Sequence, residues 1–223
     1  MTLGVREAYG RWAERYDVET AVTALEDEAA RALTPVFAGR ALLDAGCGTG
    51  RRLPEPGVSA GGLAFGFDLV PAMLRAGRRT PNPRLLAAAD VRALPVATGT
   101  FDIVWCRLVL GHLPDPAPAY AELARVVRAA GAVIVTDFHP DAAAAGHTRT
   151  FRDAAGTLHA VEHHTHPVEE HLRAADATGL TLTRRIDAEI GPSVRPFYER
   201  AGRLEQYDRD RGLRLVLALR FAR

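Results

Sequence analysis

An apolar run, Ala41-Leu42-Leu43, leads into Asp44-Ala45-Gly46-Cys47-Gly48-Thr49-Gly50-Arg51, and this passage constrains the fold more than any other. Three glycines spaced two apart let backbone turn with φ > 0 and pass close beneath a ligand, where a Cβ would collide. The turn's N–H groups then feed a following helix. The dinucleotide fingerprint G-x-G-x-x-G needs glycine at position 51, which is Arg51, so the spacing is G-x-G-x-G. Asp44, two residues before the first glycine, suits a cationic ligand better than a diphosphate. Asp44 and Arg51 together argue against a nicotinamide dehydrogenase.

The chain has 223 residues, a length that fits one α/β domain over 1–223. Its 28 basic and 27 acidic residues leave a net charge of +1, which recruits no polyanion. Nucleic acid and an anionic membrane are therefore set aside as partners. Every basic residue is Arg and none is Lys, which removes Schiff-base chemistry, a P-loop lysine and a lysine base. The bias reads as codon usage in a GC-rich genome. Cys47 and Cys106 form no disulfide framework and point to a reducing cytosol. No apolar run reaches membrane-spanning length and no signal-peptide core opens the chain, so the expected location is cytoplasmic.

Periodicity supplies the elements. Tyr9, Trp12 and Tyr16 share one face of a helix over 4–17. A second helix is expected over 20–37, with Val22, Leu25, Ala29 and Leu33 as its stripe, a solvated acidic face, and Pro35 disturbing its end. Strands follow at 63–67, 84–88, 101–106 and 131–138. Pro71 suits the first turn of a helix carrying Met73 and Leu74. Asp115-Pro116 opens another, with Tyr120, Leu123, Ala124 and Val127 buried and Gly131 as its stop. Two alternating runs about 153–156 read as a β-hairpin inserted after the fifth strand. A helix over 167–178, an edge strand over 180–190, an exposed helical stretch over 192–212 and a last strand over 213–221 complete the chain.

The glycine turn, the Tyr9-x-x-Trp12-Ala13-x-x-Tyr16-Asp17 opening and the Ala89-Asp90-Val91-Arg92-Ala93-Leu94-Pro95 run carry a resemblance. They resemble the class I (Rossmann-like) S-adenosylmethionine-dependent methyltransferases, in the ubiquinone-biosynthesis-type small-molecule branch. The resemblance covers about residues 5–140 well and the rest in outline. It implies a seven-stranded doubly wound sheet of order 3-2-1-4-5-7-6, strand 7 antiparallel, with helices on both faces. It also implies a helical lid over 1–38 and a substrate-side insertion over 139–166. Asp68, with Leu69 beside it, ends the second strand some twenty residues beyond the glycines, where a carboxylate accepts ribose hydroxyls; capping the next helix is the competing role. By resemblance Asp90 takes the adenine amino group, Val91 meets a ring nitrogen and Cys106 lends its carbonyl to the cofactor amino group. The cofactor set is then Tyr9, Trp12, Tyr16, Asp44, Gly46, Cys47, Gly48, Gly50, Asp68, Leu69, Asp90, Val91, Cys106 and Arg107.

Residues 139–171 hold seven of the eight histidines. Their spacing matches no helical H-x-x-x-H pair and no cysteine lies nearby, so no metal is expected. A neutral imidazole as general base is the reading preferred to a merely polar wall. His139 and His163 lead as candidates, and His112 is a third, with a purely structural role as its alternative.

The resemblance implies methyl transfer from S-adenosylmethionine, leaving S-adenosylhomocysteine, to an O or N atom of a small molecule, with C a weaker choice. A secondary metabolite is the associated acceptor. The base motif (Asp/Asn)-Pro-Pro-(Tyr/Phe) is replaced by Cys106-Arg107-Leu108-Val109, against nucleic-acid methylation. The competing class is a protein that binds S-adenosylmethionine without transferring methyl, as a cyclase or a regulatory module. A monomer and a homodimer are both compatible with the sequence.

Overall fold

A computed structural model of the protein describes residues 2–55, 61–79 and 84–223. The chain opens with strand β1 (Thr2–Leu3), helix α1 (Val5–Trp12) and helix α2 (Ala21–Leu33). Alternation then gives β2 (Ala41–Ala45), β3 (Leu63–Asp68), α3 (Pro71–Gly77), β4 (Leu85–Ala88), β5 (Phe101–Arg107), α4 (Ala117–Val126) and β6 (Val127–Phe138). There follow α5 (Pro140–Ala144), β7 (Thr150–Arg152), β8 (Leu158–Val161), α6 (Val168–Asp176), β9 (Thr181–Glu189), α7 (Arg195–Arg200), α8 (Leu204–Asp210) and β10 (Arg214–Ala222).

Among the described residues, seven strands form one sheet of order β4-β3-β2-β5-β6-β10-β9. Numbered within the sheet, this is the expected 3-2-1-4-5-7-6, with β10 antiparallel to both neighbours. Consecutive strand residues point to opposite faces. Leu43, Val104 and Val133 meet α4 and α6 on one side, while Leu42, Ile103 and Ile134 meet α2 and α3 on the other. The apolar runs of the central strands exist to fill both layers. The Leu and Val residues of β10 lie inside the sheet, where Leu215 to Leu219 are at most 1% exposed.

Local chemistry sets the boundaries. Thr20 caps α2 through a reciprocal pair with Thr23. The helix stops at Leu33, short of the expected 37, because Thr34 precedes a proline and is extended. Asp115 accepts the Ala117 N–H at 2.9 Å and opens α4. Gly131 does not end that helix: α4 stops at Val126, Val127 is already strand, and Ala130 takes the positive φ of 61° at an irregularity in β6. Chain pairing with β5 and with Arg223 overrides the local stop signal there.

The expected hairpin is present as β7 and β8, and its 153–156 turn is closed by Asp153 Oδ1 accepting the Thr157 N–H. The structure adds what alternation could not show: β1 pairs in parallel with β8, making a separate three-stranded sheet. Trp12 stacks on Phe151 at 5.0 Å, so α1 and the insertion form one apolar cluster with Leu3, Tyr9 and Val161. The 192–212 stretch is helical in two pieces, α7 and α8, and Val194, Tyr198 and Tyr207 are buried against α2.

Helix α3 seats against the glycine turn at Gly77, where an added Cβ would lie 2.0 Å from the Thr49 carbonyl oxygen. Gly77→Ala is therefore expected to destabilise the protein by about 1–3 kcal/mol in urea unfolding. A change of only a few tenths would mean that α3 is free to slide.

Candidate active site

Parallel strands deliver their side chains to one edge. The glycine turn after β2 places Gly46 at φ 88° and Gly48 at φ 59°. A Cβ on Gly46 would stand 2.3 Å from Val109, and one on Gly48 3.1 Å from both Met73 and Tyr16. Backbone and crevice wall thus approach where no side chain fits. Asp68 ends β3 and accepts the Gly48 N–H and the Val70 N–H, both at 2.8 Å. One carboxylate oxygen steadies the start of α3, as the capping role has it, and the other holds the glycine turn.

A cavity of about 190 Å³ opens over this edge. Of the expected cofactor residues, Tyr9, Tyr16, Gly46, Gly48, Asp68, Leu69, Asp90, Val91 and Arg107 line it. Five do not. Trp12 lines a neighbouring cavity instead. Cys47 and Cys106 are buried in the two layers of the core, and burial pushes both thiols up. Gly50 packs on Leu86.

Asp44, the fifth, lies beneath the turn at 2% exposure, so the three acidic residues do not ring the crevice together. Its Oδ1 has no hydrogen-bond partner among the described residues. Burial raises its carboxyl to about 7, against the opposing pull of Arg107 and with a push from Glu26 and Asp68. An orphaned acid below a glycine cradle, with carboxylates at the next two strand ends, fits the adenosyl and amino-acid parts of S-adenosylmethionine. Asp68 and the glycine turn would hold the ribose, Asp90 and Val91 the adenine, and Tyr9 and Tyr16 would cover it. Asp90 already binds its neighbour Arg92 at 2.6 Å, a pairing not expected from the sequence.

Arg107 faces α2 rather than an open acceptor side. It forks onto Glu26 at 2.7 and 2.8 Å and reaches Asp27 at 2.8 Å. Glu26 is 3% exposed, so the acidic face of α2 is not solvated there. Thr136 donates to the same Glu26 at 2.9 Å, and Asp27 also takes Arg52 at 2.6 Å. The surrounding carboxylates push the Arg107 guanidinium up despite its burial.

The histidines resolve differently from expectation. His139 is 2% exposed, accepts the Asp141 N–H at 3.1 Å and stands 3.2 Å from Asp187; it caps α5 and lines neither cavity. His163 packs edge-on to His112 and Phe138, its Nε2 3.8 Å from Asp137, and also lines neither. His112 does line the cofactor cavity. Arg149 contacts its Nε2 at 2.6 Å and, being only a donor, fixes that nitrogen as acceptor. Nδ1 then donates to the Glu162 carbonyl at 3.2 Å, and the Tyr9 hydroxyl reaches Nε2 at 2.9 Å. Burial first and Arg149 second lower His112 to about 3. It is a neutral strut, and none of the three is placed as a base.

A second cavity, of about 500 Å³, adjoins the first. Tyr16 and Leu108 line both. Leu108 sits at φ 55°, strained backbone for a leucine, at the end of β5. The turn directs its carbonyl to Arg149 at 2.9 Å. Neither Arg149 nor Leu108 carried a sequence signal, because 41 residues separate them. Among the described residues no group of three His, Cys, Asp or Glu side chains is disposed to hold a metal ion. No helix among them is long and apolar enough to cross a membrane.

Because burial lifts the Asp44 pKa above its unfolded value of 3.8, the protonated acid favours the folded chain. That contribution is complete below the unfolded value and is lost as pH rises through about 7. Asp44→Asn should therefore lose less stability than the parent protein between about pH 5 and about pH 8 in urea unfolding. Equal losses would show that the acid ionises normally in the fold.

A family model described as a methyltransferase domain matches residues 43–135. Malonyl-[acyl-carrier protein] O-methyltransferase of Laribacter hongkongensis is 32% identical over 209 residues, 82% of this chain and 66% of the relative. Ubiquinone biosynthesis O-methyltransferase of Thiobacillus denitrificans is 34% identical over 113 residues, 48% of this chain and 47% of the relative. The chain thus spans about half to two thirds of the curated relatives it matches. An S-adenosylmethionine-dependent methyltransferase structure from Mesorhizobium loti superposes with a TM-score of 0.68 at 21% identity, covering 91% of this chain and all of that one. With its sheet order, glycine turn and strand-end carboxylates, the chain belongs to the class I S-adenosylmethionine-dependent methyltransferases.

Proposed function

We propose that the protein transfers the methyl group of S-adenosylmethionine to an oxygen atom of a small molecule. The observation that carries this reading is the pair of cavities sharing a wall at Tyr16 and Leu108, one lined by the glycine turn, Asp68 and Asp90 and the other of about 500 Å³. The cofactor supplies a methyl already activated on sulfonium, whose departing thioether is neutral. What remains for the chain is alignment and exclusion of water. Holding reactants at attack geometry is worth roughly 7–11 kcal/mol of barrier. Tyr9 and Tyr16 cover the crevice, and Trp12 on Phe151 joins that cover to the insertion. The relatives named above as O-methyltransferases support oxygen over nitrogen or carbon.

In this reading residues 1–38 form the lid and 139–166 the acceptor-side insertion of one domain. A secondary metabolite and a cytoplasmic location belong to the same proposal. The cofactor residues are those lining the first cavity, with Cys47, Gly50 and Cys106 supporting the turn and strand.

Calorimetry with S-adenosylhomocysteine should show binding, weakened at least about tenfold by Asp68→Ala through loss of charge-assisted hydrogen bonds. Incubation with methyl-labelled S-adenosylmethionine and candidate acceptors should yield labelled product. Binding with no transfer to any acceptor would favour the non-transferring alternative. Unchanged affinity in Asp68→Ala would remove the ribose assignment.

A further inference from the structure

Resting on that reading, we infer that the acceptor is a carboxylic acid, held as its carboxylate by Arg149 at the wall between the two cavities and converted to a methyl ester. Three arginines, Arg149, Arg200 and Arg203, line the second cavity, against one carboxylate, Glu19. Among the described residues none of the three arginines has an ion-pair partner. The two arginines that line the first cavity do: Arg107 holds Glu26 and Arg92 holds Asp90. Arg149 is anchored instead by neutral acceptors, the Leu108 carbonyl at 2.9 Å and His112 Nε2 at 2.6 Å. Its guanidinium also lies over the Phe138 ring at 5.4 Å. Such anchoring fixes the side chain and leaves its charge uncompensated, with N–H donors in a fork that matches a carboxylate.

The location is as telling as the charge. The Leu108 carbonyl that Arg149 grips belongs to a residue lining both cavities, so an anion on Arg149 sits beside the passage the methyl must cross. Maintaining Leu108 at φ 55° to aim that carbonyl costs on the order of 1 kcal/mol or more, which a merely structural arginine does not require. Trp12, Phe138, Phe197 and Tyr198 in the same lining suit an apolar body behind the acid.

The chemistry agrees. His112 is held neutral, and His139 and His163 do not reach the cavity. His147 does, with Nε2 3.2 Å from Asp210. An alcohol or amine acceptor would need such a base, whereas a carboxylate is ionised at neutral pH without one. One carboxylate lone pair forms the O–CH₃ bond as the S–CH₃ bond breaks and its electrons pass to sulfur. Carboxylate and sulfonium are both neutralised, and no proton moves.

The test uses the whole protein loaded with S-adenosylhomocysteine and three acids, octanoate, phenylpropionate and a malonyl thioester, each paired with its primary amide. At least one acid should bind about tenfold or more tighter than its amide, and Arg149→Gln should abolish that preference. Retained S-adenosylhomocysteine affinity in the variant certifies its fold, and Arg149→Lys should restore part of the preference. Transfer at saturating S-adenosylmethionine should show no histidine titration between about pH 6 and 9, and alkali should release the label from the product as methanol. Acids binding no better than amides, or a preference that survives Arg149→Gln, overturns the inference. So does an alkali-stable product whose formation follows a histidine titration, which makes His147 the base of a hydroxyl acceptor. Failure of S-adenosylhomocysteine to bind the parent protein would instead strike the methyltransferase reading itself.

Discussion

The site depends on one hydrogen bond across a strand gap, from the Gly48 N–H to Asp68 at 2.8 Å. It ties the glycine turn of β2 to the end of β3, two neighbours in a parallel ladder whose register runs from Ala41–Leu63 to Ala45–Phe67. Parallel pairing alone brings strand ends to one edge; this bond fixes how the loop beyond that edge is folded. The Phe67 carbonyl supports it by accepting the Gly46 and Cys47 N–H groups at 2.7 and 2.9 Å. Glycine is required because the turn needs positive φ and because Val109, Met73 and Tyr16 leave no room for a Cβ.

A second constraint comes from charge. Arg107, Glu26 and Asp27 form a buried cluster that pins α2 across the ends of β5 and β6. Burying ions is expensive, and the gain is good only where geometry and extra hydrogen bonds are complete. Here the fork is bidentate, Thr136 joins it, and Arg52 shares Asp27. Its consequence is positional: α2 forms one wall of the second cavity through Ala21 to Thr23, and the cluster sets where that wall stands. Toward Asp44 the cluster acts both ways, Arg107 opposing and Glu26 adding to the rise that burial gives its carboxyl.

What the sequence revealed and what it hid divide along range. Sheet order followed from recognising the glycine turn with Asp68 and Asp90 at successive strand ends, and the elements followed from local periodicity and caps. The errors came where distant partners decide. Val127 looked like the end of a helical stripe, yet pairing with Phe101 makes it strand. The acid-rich face of α2 looked solvated, yet Arg107 is 81 residues away from Glu26 and meets it in the core. The histidines looked like a cluster of candidate bases, yet Asp141, Asp187, Asp137 and Arg149 assign them structural duties that spacing cannot express. Trp12, one helical turn from Tyr9 and Tyr16, lines the second cavity and stacks on Phe151 of the insertion, a partner that lies far off in sequence.

We propose that the strand-end carboxylates and the glycine turn receive one S-adenosylmethionine, whose sulfonium methyl points through the Tyr16–Leu108 wall. A crystal structure with S-adenosylhomocysteine measures this directly. The expected result is a ribose on Asp68, an adenine between Asp90 and Val91, and a sulfur facing Leu108 and Arg149. A ligand bound elsewhere, or one whose sulfur faces away from the second cavity, would contradict it.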